Sequence, residues 1–354
     1  MQTTKSGPAG NVIMTPKRGI AEKIWRWLGF THHSSIKLYF GYGQAEHMVI
    51  YGHALSLAPL PRKTFSRFFL VNLIALIRMF IVKPLKNAEL RLCWDGKEVR
   101  ASSESDGFFR LDWQYTKVPE FGWHDVSAEM INKENKVVAK ATCSVVLPHS
   151  TQYAFISDID DTFLISHSSN MRKRLSLLFT RNAHTRKPFE GVVKHYQLLA
   201  GAHTRPDEPN PFFYVSSSEW NLYDYIIEFI TVNKLPKGVL LLNTMKRLRD
   251  FLSTGQHGHG TKFARIVRVL EAFPKQRFIL LGDSSQMDPA IYQSIVEHFP
   301  GRIHAIYIRN IRRRNSETVK EMLRKLEESG IPCCFFTSSS EAIEHSRKIG
   351  LIGP

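Results

Sequence analysis

After Pro148 the chain alternates short, nearly continuous apolar runs with amphipathic segments, and few folds accept that alternation. The runs are "YAFIS" from Tyr153, "PFFYV" from Pro211, "GVLLL" from Gly238, "RFILL" from Arg277, "RIHAIYI" from Arg302 and "IPCCFF" from Ile331. Helical segments separate most of them, including "EWNLYDYIIEFI", "KFARIVRVLEAF" and "SETVKEMLRKLEES", the last closed by Gly330 at a C-terminal cap position. Strands that are apolar along their whole length are buried on both faces, and strand–helix–strand order joins them as parallel neighbours. The expectation is an α/β domain over residues 149–354 built on a doubly wound, mostly parallel sheet. Ligands of such sheets bind beyond the carboxyl ends of the strands, so the residues following each run are where chemistry is sought.

The preceding region follows another grammar. Residues 1–35 mix polar, glycine and proline residues with one aromatic segment, "AEKIWRWLGF", and read as a loose lead-in; the first dozen residues lack the apolar core of a secretory signal. Residues 36–148 carry short alternating runs with turn punctuation. "WDGKEV" places an Asp-Gly turn between two alternating runs, and "ESDGFFRLDW" repeats the device. A small antiparallel β-sandwich-like domain is expected there, interrupted by the apolar stretch "FFLVNLIALIRMFIV" over residues 68–82. Broken by Asn72 and Arg78, that stretch is short of a bilayer span. It reads as a helix buried against the domain or, flanked by Arg62, Lys63, Arg67 and Lys83, as an interfacial helix.

Composition narrows the partners without choosing one. The 354 residues hold 48 Lys plus Arg against 32 Asp plus Glu, a formal charge of +16, which favours polyanions such as nucleic acid, anionic lipid or phosphate esters. Cys93, Cys143, Cys333 and Cys334 have neither zinc-ligand spacing nor the look of a disulfide framework, which suits a reducing cytoplasm. His257 and His259 in "GQHGHG" lack nearby acids and read as a basic loop rather than a metal site.

Acidic and polar residues recur at the strand ends. The first run is followed by Asp158, Asp160, Asp161 and Thr162, acids whose mutual repulsion demands a use. Two acids two positions apart can share a crevice, one attacking while the other moves protons. Strand alternation turns Asp161 to the opposite side, a structural position. The second run leads into "SSSEWNLYD", where Ser216 can donate to a phosphoryl oxygen. Lys262, in "GHGTKFARI", can neutralise phosphoryl charge, and Asp283 and Asp288 in "GDSSQMDP" can hold a hard divalent cation. Each signal alone has an ordinary structural reading as turn, cap or surface residue; the ordered set is what points to phosphoryl transfer.

These residues resemble the haloacid dehalogenase-like (HAD-like) phosphatases. Asp158, Asp160 and Thr162 match DxDx[TV], and Ser216, Lys262, Asp283 and Asp288 match the later serine, lysine and GDxxxxD elements. Over about 150–310 the strings "SDIDDT", "FFYVSSSEWNLYD" and "GDSSQMDPAIYQSIVEHFPGRIHAIYIRN" are similar to the catalytic domain of the actin-patch phosphatidate phosphatase family and its bacterial relatives, in which a β-rich segment also precedes the catalytic part. The chain departs from that pattern at Ser217, Ser218 and Glu219 and at Ser285 and Gln286.

The resemblance implies a phosphoric monoester hydrolase that cleaves phosphatidate, or a related phospholipid, to diacylglycerol and phosphate. Asp158 is then the nucleophile, Asp160 the general acid and base, and Lys262 the cation on the phosphoryl group. Thr162, Ser216 and Ser217 line the substrate, and Mg²⁺ is held by Asp158, Asp160 and Asp283, with Asp288 ligating or orienting Lys262. Only about fifty residues separate Thr162 from Ser216, too few for a large independent cap, so an open site is expected. An open site suits a headgroup on an anionic membrane surface, approached from the cytoplasm as a peripheral protein. The basic stretches "MRKR" at 171–174 and "IRRR" at 311–314 are candidate lipid contacts, and the β-sandwich-like domain a candidate protein contact. Two alternatives remain: a phosphatase on nucleic-acid ends or phosphoproteins, and a membrane-associated adaptor with a degenerate phosphatase domain. No stacking platform for single strands is visible, so nucleic acid is not the expected partner.

Overall fold

Six parallel strands carry the runs after Pro148. In the computed structural model the described residues are 30–31, 33–44, 47–59, 78–115, 119–159, 188–243, 245, 259–284, 287–311 and 316–353. The chain divides into two units, Met1–Leu147 with Met245–Ser253, and Pro148–Thr244 with Thr254–Pro354.

Among the described residues of the first unit ten strands form one hydrogen-bonded network: β1 (Phe30–Thr31), β2 (Ser35–Leu38), β3 (Gly41–Gln44), β4 (His47–Pro59), β5 (Lys83–Pro84), β6 (Glu89–Trp94), β7 (Lys97–Ser102), β8 (Phe108–Gln114), β9 (Gly122–Ile131) and β10 (Val137–Leu147). Pairing is antiparallel except where β10 meets β3. Alternate residues of β8 and β10 are buried and exposed, the period of a half-buried strand, and Leu90, Leu92, Leu111, Trp113, Ala128 and Val145 share one core. The Asp95-Gly96 turn joins β6 to β7 with both residues at positive φ, 50° and 75°, as a two-residue hairpin requires. The second Asp-Gly does not repeat this. Gly107 also turns at φ 80°, but β8 leaves β7 and pairs with β4. Residues 68–77 and the lead-in before 30 lie outside the described residues; Phe80, at the end of the apolar stretch, is buried. Among the described residues no helix is long and apolar enough to cross a membrane.

The second unit is an α/β fold. Strands β11 (Ala154–Ser157), β12 (Phe212–Glu219), β13 (Gly238–Asn243), β14 (Phe278–Asp283), β15 (Ile303–Arg309) and β16 (Cys333–Phe336) pair in the order β13-β12-β11-β14-β15-β16, every pair parallel. The path runs outward from β11 in one direction and, from β14, in the other, so the topology reverses between β11 and β14. Helices α1 (Val192–Ala200), α2 (Tyr223–Val232), α3 (His259–Ala272), α4 (Asp288–His298), α5 (Ser316–Glu328) and α6 (Ser339–Lys348) connect and flank the strands. α1 packs on α6, while α3, α4 and α5 pack in series, the grouping that two covered sheet faces produce. Gly330, at φ 84°, ends α5 with its N–H on the Glu327 carbonyl and that of Ile331 on the Leu326 carbonyl, which satisfies the last turn.

Two strands run further than the apolar runs suggest. β12 continues through Ser216, Ser217 and Ser218 to Glu219, and β14 includes Gly282 and Asp283, so these residues sit within strand ends rather than beyond them. Backbone pairing to a neighbour extends each strand past its last apolar residue, a force the side-chain pattern does not register.

Candidate active site

The reversal between β11 and β14 gathers the acids. Asp158 follows β11 directly, Asp283 is the last residue of β14, and Asp288 opens α4; their exposures are 1%, 0% and 0%. One carboxylate oxygen from each lies within 4.8 Å of the others. Lys262, 2% exposed on the first turns of α3, donates from Nζ to Asp158 Oδ1 at 2.8 Å and to Asp288 Oδ1. Burial works against its charge, but the Asp158 and Asp288 carboxylates outweigh burial and raise its pKa above the ordinary lysine range.

Local anchors fix each acid. The Asp158 N–H donates to the Leu281 carbonyl at 2.9 Å, tying the end of β11 to β14. Ser157 Oγ lies 2.8 Å from the Tyr196 hydroxyl of α1 and 2.7 Å from the Asp158 carbonyl. Asp288 Oδ2 accepts the Asp283 N–H at 3.3 Å, and Tyr292, one turn along α4, donates to the Leu281 carbonyl at 2.8 Å. An acid in the first turn of α4, with Pro289 after it, also suits the positive end of the helix dipole. Asp288 thus spends one oxygen on Lys262 and the other on the backbone of Asp283.

Ser216 is fully buried where β12 bulges. Between the register pairs Val215↔Leu241 and Glu219↔Asn243, three residues of β12 face one of β13. The Ser218 N–H donates to Ser216 Oγ at 3.0 Å, and Ser217 is partly exposed in the same bulge. Asp160, Asp161 and Thr162, the 171–174 stretch, His257, Ser285, Gln286 and 312–315 lie outside the described residues.

Of the predicted residues, the structure brings Asp158, Lys262, Asp283 and Asp288 into one buried cluster. Sequence reasoning missed Tyr196, Tyr292 and Arg265, whose polar ends brace the cluster and the bulge. Their signal is weak, since each sits in an amphipathic helix where an aromatic or basic residue is ordinary.

The donor set fits a hard divalent cation. With all groups ionised, three buried carboxylates face one ammonium, two negative charges in excess, and all the available ligands are oxygen.

Comparison with known proteins agrees with this geometry. Residues 153–310 match the family described as phosphatidate phosphatase APP1, catalytic domain. Phosphatidate phosphatase APP1 of Saccharomyces cerevisiae is 34% identical over 157 residues, 44% of this chain and 25% of that protein. An uncharacterized protein of Schizosaccharomyces pombe is 23% identical over 265 residues, 72% of this chain and 40% of that protein. The matches therefore span well under two thirds of either curated relative. Among solved structures, a carbohydrate acetylesterase from Xanthomonas citri reaches a TM-score of 0.29 at 8% identity, covering 87% of this chain and 70% of that one; a likeness so low carries no argument. The buried acidic cluster lies within residues 153–310, the segment that matches the phosphatidate phosphatase APP1 catalytic-domain family.

Proposed function

We propose that the chain is a Mg²⁺-dependent phosphatase that hydrolyses phosphatidate, or a closely related phospholipid monoester, through an aspartyl-phosphate on Asp158. The observation that carries this reading is the buried cluster of Asp158, Asp283 and Asp288 around Lys262, an arrangement that would cost stability without a cationic ligand. The family match over residues 153–310 supports the substrate class. We read the second unit as a HAD-like domain without a large cap, and the first as β-sandwich-like.

In this reading Asp158 attacks phosphorus and expels the diacylglycerol alkoxide, which takes a proton from Asp160. Asp160 then removes a proton from the water that cleaves the acyl phosphate, releasing orthophosphate and restoring both acids. Lys262 fixes the Asp158 carboxylate through Oδ1, and of its three N–H donors two are engaged by Asp158 and Asp288, so the third can meet a phosphoryl oxygen. Ser216, with Ser217 and Thr162, lines the phosphoryl group. Asp288 orients Lys262. Asp158, the Asp160 backbone carbonyl and Asp283 would hold Mg²⁺, whose positive charge would lessen the repulsion between an anionic nucleophile and an anionic phosphate.

The charge of +16 supports peripheral docking on an anionic membrane from the cytoplasmic side. One experiment tests enzyme and surface together: phosphate release with Mg²⁺ from phosphatidate in anionic and neutral vesicles, from lysophosphatidate, from soluble phosphoesters and from 3′-phosphorylated oligonucleotides. Turnover is expected on phosphatidate vesicles, weakened by high salt or neutral carrier lipid, and lost by at least about a thousandfold in Asp158→Asn without unfolding. Equal rates on all soluble esters with none on vesicles would remove the lipid assignment, and an active Asp158→Asn would remove the nucleophile.

A further inference from the structure

The register of β12 against β13 shifts at a demanding place: between Val215↔Leu241 and Glu219↔Asn243, Ser216, Ser217 and Ser218 stand against Leu242 alone. Buried backbone carbonyls at an irregular stretch need donors. Arg265 reaches two of them. It lies three residues after Lys262 on α3, so the two cations share a helix face. Its NH2 group donates to the Ser216 carbonyl at 3.1 Å and its NH1 group to the Leu242 carbonyl at 3.3 Å. One planar guanidinium therefore bridges the two strands where their register shifts, a geometry that a lysine ammonium on one stem cannot reproduce.

The group is held at a cost. Burial, then the neighbouring Arg268, brings the Arg265 pKa down to about 10, so it remains charged at neutral pH in a site that disfavours charge. A neutral side chain would avoid that cost but would leave both carbonyls without these donors. Ser216 Oγ, meanwhile, accepts the Ser218 N–H, which turns its hydroxyl proton away from Ser218. The direction of that hydroxyl depends on the path of the bulge.

We propose that Arg265 is a positioning residue for the phosphoryl pocket: by bonding the Ser216 and Leu242 carbonyls it pins the bulge of β12 and sets the direction in which Ser216 offers its hydroxyl. The inference rests on the reading of Ser216 as a phosphoryl-holding residue. One helix thereby serves two sides of the pocket, Lys262 reaching the acids behind β11 and Arg265 the serine on β12.

The test is a double-mutant cycle on the full chain with two readouts: the affinity for inorganic phosphate by titration calorimetry in Mg²⁺, and kcat and KM on phosphatidate vesicles. Arg265→Gln and Ser216→Ala are each expected to weaken phosphate binding roughly ten- to hundredfold, the worth of a hydrogen bond to a charged group. In the Ser216→Ala background Arg265→Gln should add less than about threefold, since both act through one hydroxyl. Arg265→Lys keeps charge and bulk and guards against misfolding; it is expected to behave like Arg265→Gln. Additive losses, unaltered phosphate binding in Arg265→Gln, full rescue by Arg265→Lys, or a wild type that binds no phosphate would each overturn the proposal. Failure of the lipid reading would show itself differently, as wild-type phosphate binding without turnover of phosphatidate.

Discussion

At Gly282 the absence of one methyl group sets the spacing of the acidic cluster. A Cβ there would stand 2.7 Å from Asp288 Oδ2 and 2.9 Å from both Asp288 Cβ and Tyr292 Cε2, so the close seating of α4 on β14 depends on glycine. Gly282→Ala must push Asp288 off the Asp283 N–H and off Lys262. Overpacking of this kind costs about 1–3 kcal/mol. We expect Gly282→Ala to lower the urea midpoint accordingly and to depress phosphatase turnover more than its stability loss explains, measured well below its melting temperature. Full activity in a folded Gly282→Ala protein would show that the position of Asp288 does not matter. At this scale the meeting of Asp158, Lys262, Asp283 and Asp288 was legible, because strand ends in an α/β pattern converge whatever their separation in the chain. Arg265, Tyr196 and Tyr292 were not legible. Their roles depend on which backbone carbonyl or hydroxyl they reach, and only tertiary packing decides that.

Among the elements, the two Asp-Gly turns show what local sequence can and cannot specify. Both form, because each glycine takes a positive φ that most residues resist. Only Asp95-Gly96 closes a hairpin; the strand after Asp106-Gly107 joins β4, a choice made by the competition among neighbouring strands. The environments of the glycines differ as well. A Cβ on Gly96 would meet nothing within 4 Å, whereas on Gly107 it would stand 2.5 Å from the Ala54 carbonyl oxygen and 3.1 Å from Pro84 Cβ. Gly96→Ala should therefore lose only the conformational term, about 1 kcal/mol. Gly107→Ala should lose that and a steric term as well, about 2–4 kcal/mol in all. Urea unfolding followed through tryptophan fluorescence would check the ranking, and equal losses would contradict the packing around Gly107. The bulge of β12 belongs to the same lesson. A run of serines after an apolar strand reads as a helix cap, yet here it continues the strand in irregular form, since β13 is there to pair with Glu219.

For the whole molecule, each unit buries a histidine that is neutral in the folded state. His53 of β4, 2.8 Å from the Tyr39 hydroxyl through Nδ1, is brought down to about 3 by burial and then by Lys37. His195 of α1, 3.0 Å from Ser346 Oγ through Nε2, is brought down to about 3 by burial, then by Arg309 and His345. Both folded pKa values lie below the unfolded value of 6.5, so the unfolded chain binds more protons in that interval. Their contribution is fully present above pH 6.5 and is lost as the pH falls toward 3, at about 1.4 kcal/mol per pH unit for each histidine within the window. Because one histidine belongs to each unit, both units should weaken over the same range rather than one surviving the other. Thermal melts at pH 7.5, 6.0 and 5.0 are expected to show the decline, and His53→Phe and His195→Gln should each flatten it in part while lowering stability at pH 7.5. A melting temperature unchanged from pH 7.5 to 5.0 would mean that neither imidazole is held neutral, and that the burial around Tyr39 and Ser346 does not exclude the proton.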